Sequence, residues 1–315
     1  MIKFYGEVKK ISTKEQLERF IDKRSPVLAR MVARATNRLT ESVSYKDIEE
    51  ALLSGDISEA WLERFRVLYS EFVVKELMPV WYEAFQESVV QMHERYPKFL
   101  FDPNTTAIQE WVAERGASLV QNVIDQQREA IKGVVGRSLQ LNSNMTIDEL
   151  AKVIRPMVGL YPQQAVAVYN YYTLVNGALT EKHPRTSAEK ITERAQKAAI
   201  RYAGVKHRER AMTIARTELA SAYNAGEFYS VKQAIDKGYM GRTIKGTITA
   251  RDERVCEFCK SMDVRVRGYF DMDEQLPMPK GVRSMNFAWT PPFHPRCRCV
   301  EIYEEIEPPI AWVNN

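Results

Sequence analysis

The chain has 315 residues, of which 45% are hydrophobic and 27% are charged, and this composition fits a globular protein of two or three domains. The formal net charge is only +4, so a nucleic-acid partner has to be argued from local charge patterns. The N-terminus lacks an apolar signal core, and no run approaches the ~18 apolar residues of a membrane span, so we expect a cytosolic protein without membrane contact.

The first half of the chain is predicted to be helical. Residues 1–57 suggest short helices with a turn at 54–56, and Pro79 predicts a kink or break further on. Between them, apolar residues recur at the spacing of one helix face. This face consists of Trp61, Phe65, Leu68 and Phe72. Helical periodicity resumes from Thr106 to about Leu141, before a polar break at 142–144.

Two helices are expected next. Thr146 and Glu149 form a capping box, in which each side chain accepts a hydrogen bond from the other residue's backbone. Gly159 stands where the C-cap of that helix belongs, and Pro162 suits the first turn of a second helix that reaches roughly to Asn176.

A basic helix is predicted after a capping box at 186–189. Between residues 182 and 216, ten lysines and arginines stand against three glutamates. Four of the cations form a stripe along one helix face, a geometry that can follow a phosphate backbone. The stripe consists of Lys190, Arg194, Lys197 and Arg201. The alternative is a solvated face in which Glu193 pairs with Lys197.

One more helix is expected from about Glu209 to Lys237, ending at Gly238. One of its faces carries small residues, which would let a neighbouring backbone approach closely. That face consists of Ala211, Ala215, Ala222, Ala225 and Gly226.

After Gly238 the pattern becomes β-branched and alternating. Strands are predicted at 243–249, 264–267 and around 300–303. The expected fold class is therefore mainly α, with a multi-helix N-terminal region followed by a small α+β zinc-clasped C-terminal module. The expected domains are a helical one at 1–141, helices at 145–240, a β-containing Cys/His module at 241–304 and an extended tail at 305–315.

All four cysteines lie in this last module. Cys256 and Cys259 form a C-x2-C turn, and His294 precedes Cys297 and Cys299. Zinc prefers four nitrogen or sulfur ligands in tetrahedral geometry, so a structural zinc site is predicted. Either His294 with Cys297, or Cys297 with Cys299, could complete the set begun by the C-x2-C turn. Free thiols packed in a small core, or a disulfide, are the alternatives.

A zinc enzyme is the alternative to a structural role for these residues. His207 and Glu209 with the C-x2-C turn resemble the H-x-E and P-C-x-x-C elements of zinc deaminases. The proline is replaced by Val255, and His294 stays unexplained, so His207 and Glu209 are better interpreted as the polar start of a helix. A set of carboxylates near the cysteines could bind a hard cation, but solvated loop carboxylates are the simpler explanation. The set consists of Asp252, Glu253, Asp263, Asp271 and Asp273.

A series of motifs resembles one bacteriophage family. Ala215-Arg216-Thr217-Glu218 is followed by Asn224-Ala225-Gly226, by D-x-x-V-C-x-x-C from Asp252, and by H-P-R-C-R-C from His294. Phage head morphogenesis proteins, also called Mu-F-like minor capsid proteins, show the same order. The segment 159–165 is similar to their lead-in helix, so the resemblance covers roughly 145–302. Many relatives have a tryptophan after the lysine at 245, where this chain has glycine.

The resemblance implies a minor head protein of the virion at the portal vertex, present in the host cytoplasm during assembly. Its implied partners are the portal and major capsid proteins, and packaged DNA is a candidate partner through the basic stripe. It implies a metal clasp on the four cysteines and His294, and no catalytic residues. Arg216 and Glu218 are expected to be polar anchors, with Arg216 fixing its helix to the β-module.

Overall fold

A computed structural model describes residues 14–140, 145–278 and 289–309. Helices make up most of these residues, and three short strands lie near the C-terminus. The helices are α1 Lys14–Glu41, α2 Tyr45–Ser54, α3 Glu59–Phe72, α4 Met78–Ser88, α5 Val90–Arg95, α6 Thr106–Gln140, α7 Ile147–Ile154, α8 Pro162–Lys182, α9 Ala188–Asp236, α10 Glu257–Met262 and α11 Val264–Arg267. The strands are β1 Thr243–Ile248, β2 Phe270–Asp271 and β3 Val300–Glu305. The predicted mainly α fold with a small α+β module is confirmed.

Several helix boundaries follow from the local signals. The capping box of Thr146 and Glu149 is present at the start of α7, with both backbone bonds made. Pro79 lies in the first turn of α4, directly after a π-helical segment at Val73–Leu77, as the predicted break requires. Gly159 follows a 3-10 turn rather than capping α7 directly, and it has a positive φ of 89°.

Three predicted elements were wrong in extent or type. The region 1–57 contains the 28-residue helix α1 instead of short helices only. The two helices expected around 188–237 are one continuous helix of 49 residues, α9. Gly204 lies within it, and one helical glycine costs only about 1 kcal/mol, which packing of the buried face can offset. Residues 264–267 form the short helix α11 rather than a strand, since Asp263 accepts a capping bond from the N–H of Arg265.

The sheet is antiparallel with the order β2–β1–β3. Thr247 lies opposite Glu301, and Lys245 lies opposite Tyr303. The predicted strands at 243–249 and 300–303 are thereby confirmed. No helix within the described residues is both long and apolar enough to cross a bilayer.

The described residues form two compact units, each built from separate segments. One unit contains described residues of Met1–Leu28, Leu77–Ala113 and Thr213–Asn315, and the other those of Ala29–Glu76 and Glu114–Met212. Helices α1, α6 and α9 each contribute residues to both units. The domain boundaries expected from the sequence stay a prediction, and the part of the predicted tail at 310–315 lies outside the described residues.

Each unit has its own apolar core. In the second unit the predicted stripe of α3 points inward, with Trp61, Phe65 and Phe72 all at 0% exposure. In the first unit, residues from α5, from α9 and from the sheet region pack together. That cluster includes Val89, Met92, Phe99, Phe228, Val231, Ala234, Met240, Met272 and Tyr303.

The small-residue face of α9 allows the expected close approach. A Cβ added to Gly226 would lie 2.8 Å from the Cα of Phe85 in α4 and would also collide with the hydroxyl of Ser88. Because one of these neighbours is backbone, a rotamer change cannot relieve the overlap.

Gly226→Ala should therefore lower the free energy of unfolding by about 1–3 kcal/mol through overpacking. Gly177→Ala in α8 is the matched control, since a Cβ there meets nothing within 4 Å. The control should raise the free energy of unfolding by about 0.5–1 kcal/mol. Urea unfolding of both variants measures these changes, and a stabilising Gly226→Ala would contradict the close contact.

Candidate metal centre

The first half of the centre is the turn that opens α10. Cys256 is the N-cap of this helix, with extended backbone angles, and its Sγ accepts a hydrogen bond from the N–H of Cys259 at 3.4 Å. An N-cap side chain lies over the first helical turn. The C-x2-C spacing therefore brings the two sulfur atoms to the same end of α10.

The second half is the turn from His294 to Cys297, closed by a 3.1 Å bond from the N–H of Cys297 to the carbonyl of His294. The imidazole Nδ1 of His294 lies 2.9 Å from the carbonyl oxygen of Pro295. A carbonyl can only accept, so Nδ1 is the protonated nitrogen in this contact. The lone pair of Nε2 is then available on the other side of the ring, as in most metal-binding histidines.

The two turns bring their donor atoms together. Nε2 of His294 lies 3.3 Å from Sγ of Cys256 and 3.2 Å from Sγ of Cys259. Sγ of Cys259 lies 3.7 Å from Sγ of Cys297. Two thiolates on one tetrahedral zinc ion lie about 3.8 Å apart, because each Zn–S bond is about 2.3 Å long. The thiol spacing thus fits one ion.

The five predicted donors form two overlapping groups. One contains Cys256, Cys259 and His294, and the other contains Cys259, Cys297 and Cys299, with the donor atoms of each group within 4.8 Å of one another. These residues also line a cavity of about 20 Å³, which is room for one small species. Cys256 is exposed, whereas the other three cysteines are buried.

The protonation of the thiols favours metal binding at two positions. Burial opposes ionisation of Cys256, but the N–H of Cys259 and the nearby imidazole of His294 together lower the pKa of this thiol. Hydrogen bonds from Cys259 and then Cys299 hold the pKa of Cys297 well below its ordinary value. Hydrogen bonding with Cys297 raises the pKa of Cys259, and hydrogen bonding with Cys259 raises the pKa of Cys299, so ionisation is favoured at Cys256 and Cys297 only. The thiolate is the ligating form of cysteine, and sulfur together with imidazole nitrogen suits a soft metal.

Two contacts outside the donor set hold the turns in place. Arg298 donates to both carboxylate oxygens of Asp252 at 2.7 and 2.6 Å, which ties the two motif segments together. Arg296 contacts α9, since its N–H donates to Oγ1 of Thr217 at 3.1 Å and its Nε donates to Oγ1 of Thr213 at 2.7 Å. The sequence singled out Arg216 for this anchoring role and missed the threonines.

Arg216 was expected to anchor α9 to the β-module, but its partner is a different element. Its guanidinium forms an ion pair with Asp22 of α1 at 2.7 Å rather than reaching the β-module. The physical reason is helical geometry, because neighbouring residues in a helix point about 100° apart. Thr217 therefore faces the clasp while Arg216 faces α1. Glu218 is buried at 1% exposure, and its role as an anchor stays a prediction.

Four of the five carboxylates near the cysteines form ion pairs with lysine or arginine side chains of the protein. Asp252 pairs with Arg298 and Arg254, and Asp263 pairs with Arg251 and Arg265. Asp271 and Asp273 pair with Arg242 and Lys232. Within the described ranges, they form no group of three with the geometry of a metal site.

A buried polar cluster lies between α9 and the sheet. It was not predicted from the sequence, and the alternation of residues along the strands was the only signal for it. Lys245 has 0% exposure, and its ammonium group lies 5.0 Å from the ring centre of Phe228 and 5.1 Å from that of Trp289. Burial lowers the pKa of Lys245 to about 8, against the attraction of Glu301. Burial likewise raises the pKa of Glu301 to about 8, and Asn224 accepts the N–H of Glu301 at 3.1 Å.

The predicted basic stripe lies on the solvent-facing side of α9 in the second unit. All four of its cations are exposed, and Arg208 continues the same side. The opposite face is buried through Ile191, Ala195, Ala199 and Ala203. Glu193 pairs with Lys197 at 2.5 Å, as the solvated alternative predicted. This pairing, with smaller contributions from the charges of Arg194 and Lys190, lowers the pKa of Glu193.

The residues of the deaminase alternative lie in the middle of α9 rather than at a helix start. Nε2 of His207 lies 2.9 Å from the carbonyl of Pro156, and burial lowers the pKa of this imidazole. Glu209 forms an ion pair with Lys206 at 2.9 Å. Neither His207 nor Glu209 belongs to the thiol groups described above.

Comparison with known families places the C-terminal part of the chain. Residues 185–302 match the family described as Phage Mu protein F like protein. The match includes the basic helix, the sheet and both turns of the candidate metal centre. Over these residues it confirms the resemblance to phage head morphogenesis proteins, and the similarity expected at 145–184 stays a prediction. No curated protein and no solved structure matches the chain significantly.

Proposed function

We propose that this chain, whose residues 185–302 belong to the Phage Mu protein F like family, is a structural minor head protein of a tailed bacteriophage. It would be assembled in the host cytoplasm and lie near the portal vertex, in contact with the portal and major capsid proteins. One observation carries the proposal: the two cysteine motifs of the family segment come together in one compact centre, which contacts α9 through Thr217 of a third motif. This clustering gives the motif residues a common structural task.

The centre is proposed to hold one structural zinc ion. The proposed ligand set is Cys256, Cys259, His294 and Cys297. His294 contacts both sulfur atoms of the C-x2-C turn, and Cys297 joins the set through its contact with Cys259. Cys299 is buried, its sulfur atom lies within 4.8 Å of those of Cys259 and Cys297, and it is proposed as a neighbour of the set. Bound zinc would supply folding free energy to a module too small to gain enough from its apolar core.

A structural rather than catalytic role is supported by the shape of the centre. Four protein ligands leave no coordination position for water, unlike a catalytic zinc site with three. The cavity among the donors is only about 20 Å³, which is too small for an organic substrate. We therefore propose that the chain is not an enzyme.

A non-specific contact with packaged DNA is proposed for the stripe on α9. Support comes from four exposed cations on one side of a continuous helix, of which Lys197 forms an ion pair with Glu193. Arginine and lysine in such a row can each contact a phosphate and release counterions.

The head-protein role predicts that purified virions contain this chain in few copies per head, measured by quantitative mass spectrometry. Phage lacking the chain should yield few infectious heads, and supplying the wild-type chain should restore them. Glu209→Ala should restore them equally well, since no catalysis is proposed. Normal infectivity without the chain would contradict the role.

The zinc proposal predicts one zinc per purified chain by elemental mass spectrometry. Chelation should lower the melting temperature, because metal binding contributes to folding. Cys256→Ser should abolish stoichiometric zinc, whereas the matched variant Cys299→Ser should retain it. Zinc lost from Cys299→Ser but retained in Cys256→Ser would refute the proposed ligand set.

The DNA proposal predicts that affinity for duplex DNA falls steeply with salt, by about 0.9 logarithmic units per phosphate contact for each tenfold rise. Changing all four stripe residues to glutamate should abolish binding, measured by fluorescence anisotropy. The matched control reverses four exposed cations outside the stripe in the same unit and should bind like wild type. These controls are Lys46, Arg66, Lys75 and Lys132. Equal loss in both variants would indicate a bulk charge effect.

A further inference from the structure

Arg296 occupies an unusual backbone position between two donors of the metal centre. It lies in the turn from His294 to Cys297 and has a φ of 61°, in the left-handed region that favours glycine. A non-glycine residue stays in this region only when its surroundings hold it there. The conformation of this turn brings the side chains of His294 and Cys297 close to the sulfur atoms of the C-x2-C turn. It therefore depends on the contacts that Arg296 makes.

Arg296 is contacted by two threonines, Thr213 and Thr217, which lie one helical turn apart on α9. Thr217 is 2% exposed, and its Oγ1 accepts the backbone N–H of Arg296 at 3.1 Å. The same hydroxyl donates its proton to the carbonyl of Thr213 at 2.7 Å, which leaves its lone pairs directed away from the helix. Oγ1 of Thr213 accepts from the side-chain Nε of Arg296 at 2.7 Å.

The two hydroxyls thus fix Arg296 by its backbone and by its side chain. Thr217 is already oriented by the helix, because its own proton is committed to the carbonyl four residues earlier. A valine of the same shape would leave the partly buried N–H of Arg296 without this acceptor. Relief of that loss requires the turn to move, and the turn carries two of the proposed ligands.

We propose that Thr217 and Thr213 are positioning residues for the metal centre, which hold the turn from His294 to Cys297 in its ligating conformation. The proposal rests on the metal site argued above. It assigns the threonine of the Ala215–Glu218 motif, rather than its arginine, to the anchoring of the clasp. Helix α9 thereby supports the ligands without binding the metal itself. Loss of such a supporting contact typically lowers metal affinity 10–100-fold.

The test measures zinc affinity by competition with a chromophoric chelator for wild type, Thr217→Val and Thr217→Ser in the full chain. Thr217→Val should bind one zinc with affinity reduced at least tenfold, and Thr217→Ser, which keeps the hydroxyl, should restore affinity to within about threefold. The absorption spectrum of the cobalt-substituted protein should keep its thiolate bands in all three, since the ligands themselves are unchanged.

Thr36→Val is the matched control for loss of a buried helical hydroxyl. Thr36 is 4% exposed and donates to the carbonyl of Val32 at 3.0 Å, in the same way as Thr217 does within α9. This control should leave zinc affinity at the wild-type value. A drop as large as that of Thr217→Val would show that general destabilisation explains the effect, and would overturn the proposal.

The outcomes separate this inference from the metal site itself. Wild-type affinity in Thr217→Val overturns the positioning role and leaves the metal site standing. Absence of zinc from the wild-type chain overturns both. If Thr217→Val fails to fold, Thr213→Val is the second variant, because it removes the acceptor of the Nε group of Arg296 and keeps the hydroxyl of Thr217. A zinc affinity equal to wild type in Thr213→Val would then overturn the proposal.

Discussion

The first unit depends on the contacts that the C-terminal half of α9 makes with α4, with the sheet and with the turn before β3. Gly226 admits the backbone of α4, Asn224 accepts the N–H of Glu301, and Thr217 accepts the N–H of Arg296. The two hydrogen bonds reach backbone N–H groups of separate segments, and a buried N–H without an acceptor is costly. Together they fix where β3 begins and where the turn before it must lie relative to α9.

The metal centre follows from that placement. A C-x2-C turn at a helix start orients its two sulfur atoms locally, but the second turn comes from a distant part of the chain. The bidentate contact of Arg298 with Asp252 and the anchoring of Arg296 on α9 bring it within reach. A metal ion would then join parts already held close, which reduces the ordering cost of binding. The ion would in turn stabilise a module with few apolar residues of its own.

This arrangement explains why a head protein would use a cysteine-rich module for architecture. A closed site of thiols and imidazole offers rigidity without reactivity, since no position is left for water. Two buried polar residues of the sheet contact α9: the ammonium group of Lys245 packs against the ring of Phe228, and the N–H of Glu301 donates to Asn224. The stripe cations lie on the other half of α9 and face solvent, where a partner could contact them.

The sequence by itself determined the elements whose signals are local. Capping at Thr146, the break at Pro79, the apolar stripe of α3 and the strands β1 and β3 were predicted from their neighbours in the chain. The spacing of the four cysteines and His294 likewise predicted that these side chains come together. The sequence failed where a weak local signal competed with packing. The two helices expected around 188–237 are one helix, α9, and the alternating residues 264–267 form a helix whose start Asp263 caps.

Only the tertiary structure decided which side chains meet. Arg216 and Thr217 are adjacent in one motif, yet the first reaches Asp22 and the second holds the clasp. Helical rotation separates their directions, and the position of the clasp on α9 decides which direction matters. The convergence of His294 with Cys256, and the burial of Lys245 between two aromatic rings, likewise depend on contacts between segments far apart in sequence. Spacing in the chain can name such residues, but only packing sets the distances between them.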